Sequence, residues 1–492
     1  MVWMSGLLSL KENLLFKKLR MKNNRNGHAV VIGAGFGGLL AAHVASGFFD
    51  LVTIVERDPP ETNREGRPGA PQCFHSHALL SRGHQALVQL FPGIDGELEL
   101  AGAPRGDATL DTAIFYRDSW WPRVKSGVTS RACSRGFLEG LIRSRVQANS
   151  SIETIGSCSV SGLKLEPETG SALGVHLEHS SRTQASNGPS ILLADLIIDT
   201  SGRMSQTPQW LQAAGCTSPR ESVVSSHVGY ATRRFEMPDP AGRDWKVLII
   251  GGRPPETFRS GVIYPEEQNR WVVSLIGAMR DFPPTDEAGF LGFAKSLPNP
   301  TLYDSIRNAK PISPIRGFRR TESRMRHFET VTPWPDRFIV MGDAACTFNP
   351  VYGQGMTVCA LSALALQDCL RSGANRGSFL DGRWSAKFQR RLAKVLAIPW
   401  LLATSEDSRY AADEHRPAWT SRLIHRYVDL AMLQVPRNPK LVVAFAQVLN
   451  LEKSPVRLLH PAFLAGIARD CLAPTASRLE PVLQIPGALN EP

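Results

Sequence analysis

The sequence predicts an α/β fold with three parts: a domain built on a parallel sheet, an antiparallel sheet inserted into it, and a helical C-terminal region. Buried-looking apolar runs that end in glycine turns occur near both ends of the first 376 residues, and short β-rich runs fill the middle. From about residue 378 onward the pattern is helical, with breaks expected at prolines such as Pro399. The predicted boundaries are a basic tail at 1–26, the first domain at 27–215 and 316–376, the insertion at 216–315, and the helical region at 377–492.

The composition is that of a globular protein large enough for two or three domains. The chain has 492 residues, of which 42% are hydrophobic, and a formal net charge of +11. Residues 11–25 hold six Lys or Arg and one Glu, and the remaining excess is spread along the chain. Spread charge suits a phosphate-bearing cofactor, and we expect no nucleic-acid partner. The basic tail either precedes a translation start at Met21 or forms a short helix that touches anionic membrane.

Targeting and redox signals favour a cytoplasmic protein with at most peripheral membrane contact. No stretch approaches the roughly 18 apolar residues of a membrane-spanning helix. The N-terminal run "MVWMSGLLSL" has no basic residue ahead of it and makes a poor secretory signal. None of the eight cysteines forms a Cys-x-x-Cys pair, so neither zinc nor a disulfide framework is indicated.

The first strand leads into a glycine-rich turn. "HAVVIGAGF" places Gly33, Gly35 and Gly38 in a Gly-x-Gly-x-x-Gly pattern, and the next strand, 51–58, contains Glu56 and Arg57. Gly33 permits the tight turn, Gly35 lets the backbone approach a pyrophosphate, and Gly38 lets the helix pack on the sheet. The helix N-terminus offers N–H groups to phosphates, and Glu56 can accept hydrogen bonds from a ribose diol. The pattern predicts a Rossmann-like dinucleotide site, with a ligand-free glycine turn as the alternative.

A second motif predicts where the far end of a long dinucleotide is held. The run "DRFIVMGDA" ends a predicted parallel strand, a proline loop follows, and a helix restarts. Asp343 can accept a hydrogen bond from a ribityl hydroxyl, and the helix N-terminus would stabilise charge on a reduced flavin by about 0.3–2 kcal/mol. Both motifs together predict FAD; the alternative is an ordinary strand–loop–helix capped by Asp343. The predicted cofactor-binding residues here are Gly342, Asp343, Pro350, Gly353, Gln354, Gly355 and Met356.

These elements resemble those of flavoprotein monooxygenases of the para-hydroxybenzoate hydroxylase and squalene epoxidase type. That family has a dinucleotide fingerprint, an Arg-x-x-Leu helix, an Asp-Gly strand end and a Gly-Asp…Pro…Gly element. The second of these resembles Arg135-Gly-Phe-Leu138, and the third resembles "DTSGRMS", where two residues separate Asp199 from Gly202. The resemblance covers most of 28–376 and implies a Rossmann-like FAD-binding domain with an inserted substrate domain. It also implies that Arg135 contacts the FAD pyrophosphate or ribityl chain; the alternative is a surface arginine.

A narrower resemblance, to bacterial FAD-dependent epoxidases of the polyether-biosynthesis type, rests on "RPGAPQCFHSHALLSRG" and "NPVYGQGMTV". The first stretch contains His75 and His77, the candidate catalytic residues. A strand over these residues would turn both side chains to one side, which could suit a metal, although no matching ligand cluster accompanies them. Three other interpretations of His75 and His77 remain: a covalent link to flavin, a hydrogen-bonding role in the cleft, or a purely structural role.

The family resemblance implies a reaction. In that family NAD(P)H reduces FAD, and dioxygen then gives a C4a-hydroperoxide whose distal oxygen passes to the substrate. An alkene takes that oxygen directly, whereas a phenol usually needs a general base. His227, Tyr230 and Tyr264 are candidate bases, although residues of this kind are more often structural. We therefore expect epoxidation of a lipophilic alkene in secondary metabolism; aromatic hydroxylation, FAD-dependent dehydrogenation or desaturation, and non-catalytic flavin sensing remain open.

Three further features bear on partners. Flavin halogenases share this scaffold and carry Trp-x-Trp-x-Ile-Pro, whereas "DSWWPRV" has adjacent tryptophans, so halogenation is not favoured. No second Gly-x-Gly-x-x-Gly is visible, which fits reduction by NAD(P)H directly or through a flavin reductase. The apolar segments 394–402 and 441–451 predict either a helical layer packed on the flavin domain or an entrance that contacts lipophilic molecules.

Overall fold

The computed structural model describes residues 27–59, 69, 71–179, 190–238, 243–252, 256–375, 383–410, 419–472 and 482–489. The basic tail predicted at 1–26 lies outside the described residues, as do nearly all of the loop at 180–190 and most of the loop at 59–72.

A five-stranded parallel sheet forms the centre of the first domain. Its apolar strands are buried, because helices such as Phe36–Ser46 and an antiparallel sheet that contains Cys158–Leu165 and Ala172–His179 pack against them. The carboxyl ends of parallel strands lie at one edge, so the turns that follow four of these strands meet there. Across the sheet the strands are Phe338–Val340, Leu196–Asp199, His28–Ile32, Leu51–Val55 and Ile152–Ile155.

The apolar run within 191–202 forms two strands, because the chain changes sheets within it. Ile191–Leu193 pairs with Ala172–His179 in a three-stranded antiparallel sheet completed by Cys158–Leu165, whereas Leu196–Asp199 joins the parallel sheet. Asp195 lies between the two strands, and both its backbone N–H and its side chain bond to the backbone of His28.

The inserted antiparallel sheet is confirmed and is larger than the sequence predicted. It has seven strands, and one face packs on the helices Glu287–Lys295 and Thr301–Ile306. Its last two strands precede residue 216, and Thr112–Tyr116 pairs in parallel with Val247–Ile250. The full order is Arg316–Phe318, Gly229–Glu236, Arg270–Gly277, Arg259–Glu266, Val247–Ile250, Thr112–Tyr116 and Ser119–Trp120.

Shorter elements connect these layers. The strands Glu221–Val224, Ser323–Arg326 and Cys346–Thr347 form a small antiparallel sheet; Arg105–Asp107 pairs with Thr129–Arg131, and Arg123–Val124 pairs with Ala488–Leu489. The remaining helices of the first 376 residues are Phe36–Ser46, Ser81–Leu90, Ile94–Leu100, Arg135–Gln147, Thr207–Ala213 and Gln354–Asn375. Single 3₁₀ turns occur at Pro71–Phe74, Phe328–Thr330, Gly342–Ala344, Pro350–Tyr352, Val435–Arg437 and Pro455–Leu459.

The C-terminal region is helical, as predicted. Pro439 and Pro461 start helices, where a missing N–H costs little. A break at Pro399 was wrong: the helix continues through it, and its buried ring helps to offset the lost hydrogen bond. No helix in the part of the chain that the structure describes is long and apolar enough to cross a membrane. The helices are Trp384–Asp407, Trp419–Gln434, Pro439–Leu449 and Pro461–Leu472.

Candidate functional site

A single elongated cleft joins the two glycine motifs at the carboxyl edge of the parallel sheet. Its cavity volume is about 430 Å³, within the range of ligand sites. Three of the predicted site residues, Gly38, His75 and Gln354, do not line it. The predicted site residues that do line it are Gly33, Gly35, Glu56, Arg57, His77, Arg135, Gly342, Asp343, Pro350, Gly353, Gly355 and Met356.

The first glycine turn is built as the pattern requires. Gly33 has a φ of +96°, a conformation that side chains disfavour. A Cβ on Gly38 would lie only 1.8 Å from the Gly33 carbonyl oxygen, so the helix can pack this closely only with glycine there. Gly35 precedes the helix Phe36–Ser46 and no side chain caps it, which leaves the first helical N–H groups available to an anion in the cleft.

Glu56 is fixed at the end of its strand by backbone amides. It is buried, its Oε2 accepts from the Ala34 N–H at 2.6 Å, and its Oε1 accepts from the Asp58 N–H at 3.0 Å. The carboxylate therefore borders the glycine turn with a set orientation, while Arg57 beside it is exposed.

At the other end of the cleft, Arg135 and Asp343 place opposite charges near each other. Burial raises the pKa of the Asp343 carboxyl, and the charges of Arg135 and Arg203 partly offset that rise. Asp343 accepts no hydrogen bond from any residue that the structure describes. Arg135 begins the helix Arg135–Gln147, and its Nε lies 3.7 Å from Glu139 Oε2.

Three buried polar atoms that belong to cleft-lining residues are left without a hydrogen-bond partner among the described residues. They are Arg135 Nε, Ser201 Oγ and Thr347 Oγ1. Buried polar groups are normally paired, so these atoms indicate a polar ligand. FAD carries phosphates, a ribose and ribityl hydroxyls. The cleft offers matching groups along its length: uncapped amides, a carboxylate at each end, a guanidinium and two hydroxyls.

The second motif presents a helix N-terminus to the cleft. Gly353 has a φ of +63°, and a Cβ there would lie 2.9 Å from that of Ala78, so glycine is required. The helix Gln354–Asn375 begins directly after it, and Gly355 and Met356 line the cleft. The Gln354 side chain is buried away from the cleft.

The two histidines do not lie in a strand, so the geometry that would turn both side chains to one side is not formed. His77 lines the cleft and donates from Nδ1 to the His75 carbonyl oxygen at 2.9 Å, because the chain curls after the 3₁₀ turn at Pro71–Phe74. His75 is buried behind it, with Nδ1 2.8 Å from Thr232 Oγ1 on the inserted sheet.

Both imidazoles are neutral near pH 7. Burial and the charge of Arg135 lower the pKa of His77 to about 3. Burial and the charges of Arg234 and Arg316 lower the pKa of His75 to about 4. A search of the described side chains finds no group of three or more His, Cys, Asp or Glu that could hold a metal ion.

None of the three candidate bases lines the cleft. Tyr230 is buried and donates to Asn349 Oδ1 at 2.8 Å, and burial raises its pKa. Burial also raises the pKa of Tyr264. His227 is half-buried, with Nε2 3.5 Å from Arg280 Nη2.

Sequence reasoning missed most of the turn after the strand Leu196–Asp199. Asp199 itself is buried and accepts from the Ser201 N–H and from the hydroxyls of Ser205 and Thr207, so it shapes the turn without reaching the cleft. A signal was available in the sequence: a turn that directly follows a buried parallel strand lies at the edge of the sheet where ligands bind. The cleft-lining residues missed in and beyond this turn include Thr200, Ser201, Gly202, Arg203, Phe318, Arg320, Thr347 and Phe348.

Comparison with known proteins gives relatives along most of the chain. No family model matches it. Protein Rv3254 of Mycobacterium tuberculosis is 30% identical over 402 residues, which are 80% of this chain and 84% of that protein. The kynurenine 3-monooxygenase of Salinispora tropica is 24% identical over 378 residues, which are 74% of this chain and 77% of that enzyme.

Solved structures share the fold at low identity. The flavin-dependent brominase Bmp2 aligns with a TM-score of 0.60 at 13% identity, over 90% of this chain and 100% of its own. PqsL of Pseudomonas aeruginosa, a probable FAD-dependent monooxygenase, aligns with a TM-score of 0.57 at 15% identity, over 79% of this chain and 99% of its own. The chain therefore belongs to the same family as protein Rv3254, shares its fold with a probable FAD-dependent monooxygenase, and is an FAD-dependent oxidoreductase.

Proposed function

We propose that this chain inserts one oxygen atom from dioxygen into a lipophilic small molecule, by epoxidation of an alkene. The observation that carries the choice of reaction is the lack of a group suited to deprotonate a phenol near neutral pH among the described cleft-lining residues other than Glu56 and Asp343, the two carboxylates assigned to the cofactor. His77, the one histidine that lines the described part of the cleft, has a pKa lowered to about 3 and is a weak base. An alkene needs no such base.

The cofactor placement is part of the proposal. The glycine turn Gly33–Gly38 and the start of its helix would hold the pyrophosphate, Glu56 with Arg57 beside it the adenosine ribose, and Asp343 a ribityl hydroxyl. The second helix N-terminus, from Gly353 to Met356, would lie toward the flavin ring. Arg135 would contact the pyrophosphate or the ribityl chain. Once reduced, FAD supplies the activation of dioxygen, and NAD(P)H is the electron source, either directly or through a separate flavin reductase.

The inserted sheet offers a surface for a lipophilic substrate. One cross-sheet row on the face toward the first domain runs from Thr232 and Ser274 to Val262, Ile249 and Ile114, paired strand by strand. The last three are half-buried. A wall with small hydroxyls at one end and branched aliphatic side chains at the other suits an apolar molecule. These contacts support the inserted segment 216–315, extended by 112–120, as the substrate domain.

Sequence similarity to kynurenine 3-monooxygenases favours oxygen insertion over dehydrogenation, because a monooxygenase by name inserts oxygen. Hydroxylation of a phenol is less favoured, because the described cleft-lining residues outside the proposed cofactor contacts include no suitable base.

Peripheral contact with an anionic membrane follows from the C-terminal helices. Eight large apolar side chains in the described part of this region are between 42% and 69% exposed: Leu401, Leu423, Ile424, Leu433, Leu449, Val456, Leu459 and Leu464. Exposed Arg422, Arg426, Lys453 and Arg457 lie among them in sequence. Basic side chains near an anionic surface each contribute about 1 kcal/mol, and the apolar side chains would insert at the interface.

The reaction is tested with purified chain reconstituted with FAD, NADPH and a generic flavin reductase under isotopically labelled dioxygen. Polyketide and isoprenoid alkenes are offered beside matched saturated compounds and simple phenols, with Asp343→Ala as the low-activity control. We expect an alkene product heavier by one labelled oxygen. A product that has lost two hydrogens without label, or hydroxylation of phenols only, would refute epoxidation.

Membrane contact is tested separately by flotation with phosphatidylglycerol vesicles at low and high salt. Replacing both Val456 and Leu459 by Ser should reduce retention, whereas Leu100→Ser, at an exposed leucine far from this region in sequence, should leave it unchanged. Equal retention of both variants, or none of the unmodified chain at low salt, would contradict the contact.

A further inference from the structure

A carboxylate outside the cleft collects hydrogen bonds from three parts of the fold. Asp407 ends the helix Trp384–Asp407 and is 1% exposed. Its Oδ1 accepts from Ser226 Oγ at 2.7 Å, Asn349 Nδ2 at 3.0 Å and Tyr352 Oη at 2.8 Å, and its Oδ2 accepts from Ser323 Oγ at 3.2 Å. The donors lie before the inserted sheet, in the strand that returns from it, and in the loop beside the cleft.

Two of these donors flank residues that line the cleft. Pro350 and Gly353 line it, whereas the side chains of Asn349 and Tyr352 bond to Asp407. Asn349 also accepts at Oδ1 from the Tyr230 hydroxyl at 2.8 Å, which ties the same loop to the inserted sheet. The loop 349–353 is therefore held from behind, and it leads directly into the helix Gln354–Asn375.

The chemistry of this cluster suits a carboxylate. An amide whose oxygen kept the three bonds made to Oδ1 would turn its NH₂ group toward Ser323 Oγ, which donates to Asp407 in this structure. No Lys or Arg among the described residues forms an ion pair with Asp407. Burial disfavours a charged carboxylate, and the four hydrogen bonds, three to Oδ1 and one to Oδ2, offset part of that cost.

We propose that Asp407 is a positioning residue: through Asn349 and Tyr352 it fixes the loop 349–353, and so the start of the helix Gln354–Asn375, against the bound cofactor. This rests on the proposed placement of FAD. It gives the C-terminal helical layer a direct part in the cofactor site, although no residue of that layer lines the cleft in the part of the chain that the structure describes.

The test uses the full chain without cofactor, titrated with FAD and followed by flavin fluorescence, with urea unfolding of the same samples. The variants are Asp407→Asn, Tyr352→Phe and both together. Asp368→Asn is the matched control, because Asp368 lies on the helix Gln354–Asn375 and pairs only with exposed Arg391. We expect the FAD Kd to rise about tenfold for Asp407→Asn and about threefold for Tyr352→Phe. The double variant should be no weaker than Asp407→Asn, and the control should stay within about twofold.

The outcomes separate this inference from the proposed function. If the unmodified chain binds no FAD, the cofactor placement is wrong and the role of Asp407 falls with it. If the unmodified chain binds FAD and Asp407→Asn binds it equally well while unfolding at lower urea, Asp407 only stabilises the fold and the inference is overturned. If Asp407→Asn gives no folded chain, Tyr352→Phe decides, because an unchanged FAD Kd in that variant also overturns the inference.

Discussion

Replacing Gly38 by alanine tests the closest approach of helix and strand in the cofactor domain. The added methyl group would lie 1.8 Å from the Gly33 carbonyl oxygen and 2.8 Å from Thr200 Oγ1. Carbon contacts are comfortable only beyond about 3.5 Å, so the helix Phe36–Ser46 must move away by more than 1 Å (roughly 1.5 Å) or the turn must open. The opposing atom belongs to the backbone, so no side-chain rotation relieves the clash.

The expected loss of stability follows from that geometry. Inserting a methyl group into a well-packed site costs about 1–3 kcal/mol, and a backbone obstacle places Gly38→Ala at the upper end. Gly140 provides the matched control: it lies in the helix Arg135–Gln147, and a Cβ there meets nothing within 4 Å. Gly140→Ala should gain about 0.5–1 kcal/mol, because glycine is a poor helix former.

Urea unfolding of both FAD-free variants measures the free energy of unfolding. Titration with FAD measures the second expected change, in the affinity for the cofactor. Opening the turn displaces the amides that would hold the pyrophosphate, so we expect at least a tenfold rise in the FAD Kd for Gly38→Ala, equivalent to about 1.4 kcal/mol. The Gly140 variant should bind FAD normally. If Gly38→Ala unfolds within about 0.5 kcal/mol of the unmodified chain, the close packing of helix on turn is refuted.

Three further results are expected. Gly33→Ala forces a side chain into φ +96°, which costs about 1–2 kcal/mol of unfolding free energy; equal urea midpoints would contradict the turn. Asp343→Ala should weaken FAD about 10- to 150-fold by removing a charge-assisted hydrogen bond; unchanged FAD affinity at normal stability would place Asp343 outside the site. The pKa of His75 is lowered from 6.5 to about 4 by burial, so the unfolded chain takes up its proton first as pH falls. Stability is then lost between about pH 6.5 and 4, by roughly 2 kcal/mol from pH 7 to 5. His75→Gln should flatten that loss, measured by unfolding at both pH values, and an unchanged slope would show that His75 titrates normally.

The parts of the fold that were predictable are those that local chemistry specifies. Gly33 is needed because it has a positive φ, and Gly38 because it faces a carbonyl oxygen. Both glycines occur in one six-residue stretch. The fold class, with a parallel sheet, an inserted antiparallel sheet and C-terminal helices, followed from the periods of the apolar residues.

The predictions that were wrong depended on the rest of the fold. The apolar run over 191–202 does not reveal that Asp195 lies where the chain passes from one sheet to another. A strand over His75 and His77 would have turned both side chains to one side, whereas a 3₁₀ turn precedes them and His77 donates to the His75 carbonyl oxygen. From the sequence alone, Pro399 predicts the end of a helix. In the structure it is buried inside the helix Trp384–Asp407, which continues through it.

The least predictable part of the site is the one that acts from a distance. Asp407 lies 58 residues from Asn349 in a stretch, "TSEDS", that reads as a solvated helix end. Its burial arises because the helix Trp384–Asp407 runs along the helix Gln354–Asn375 and ends behind the loop that starts it. The glycine motifs specify the groups proposed to face FAD, but the position of the second motif depends on a hydrogen-bond cluster assembled from four separate segments. A change in the C-terminal layer can therefore alter the cofactor site without touching any residue of the motifs, and we expect the second motif to respond to such a change before the first.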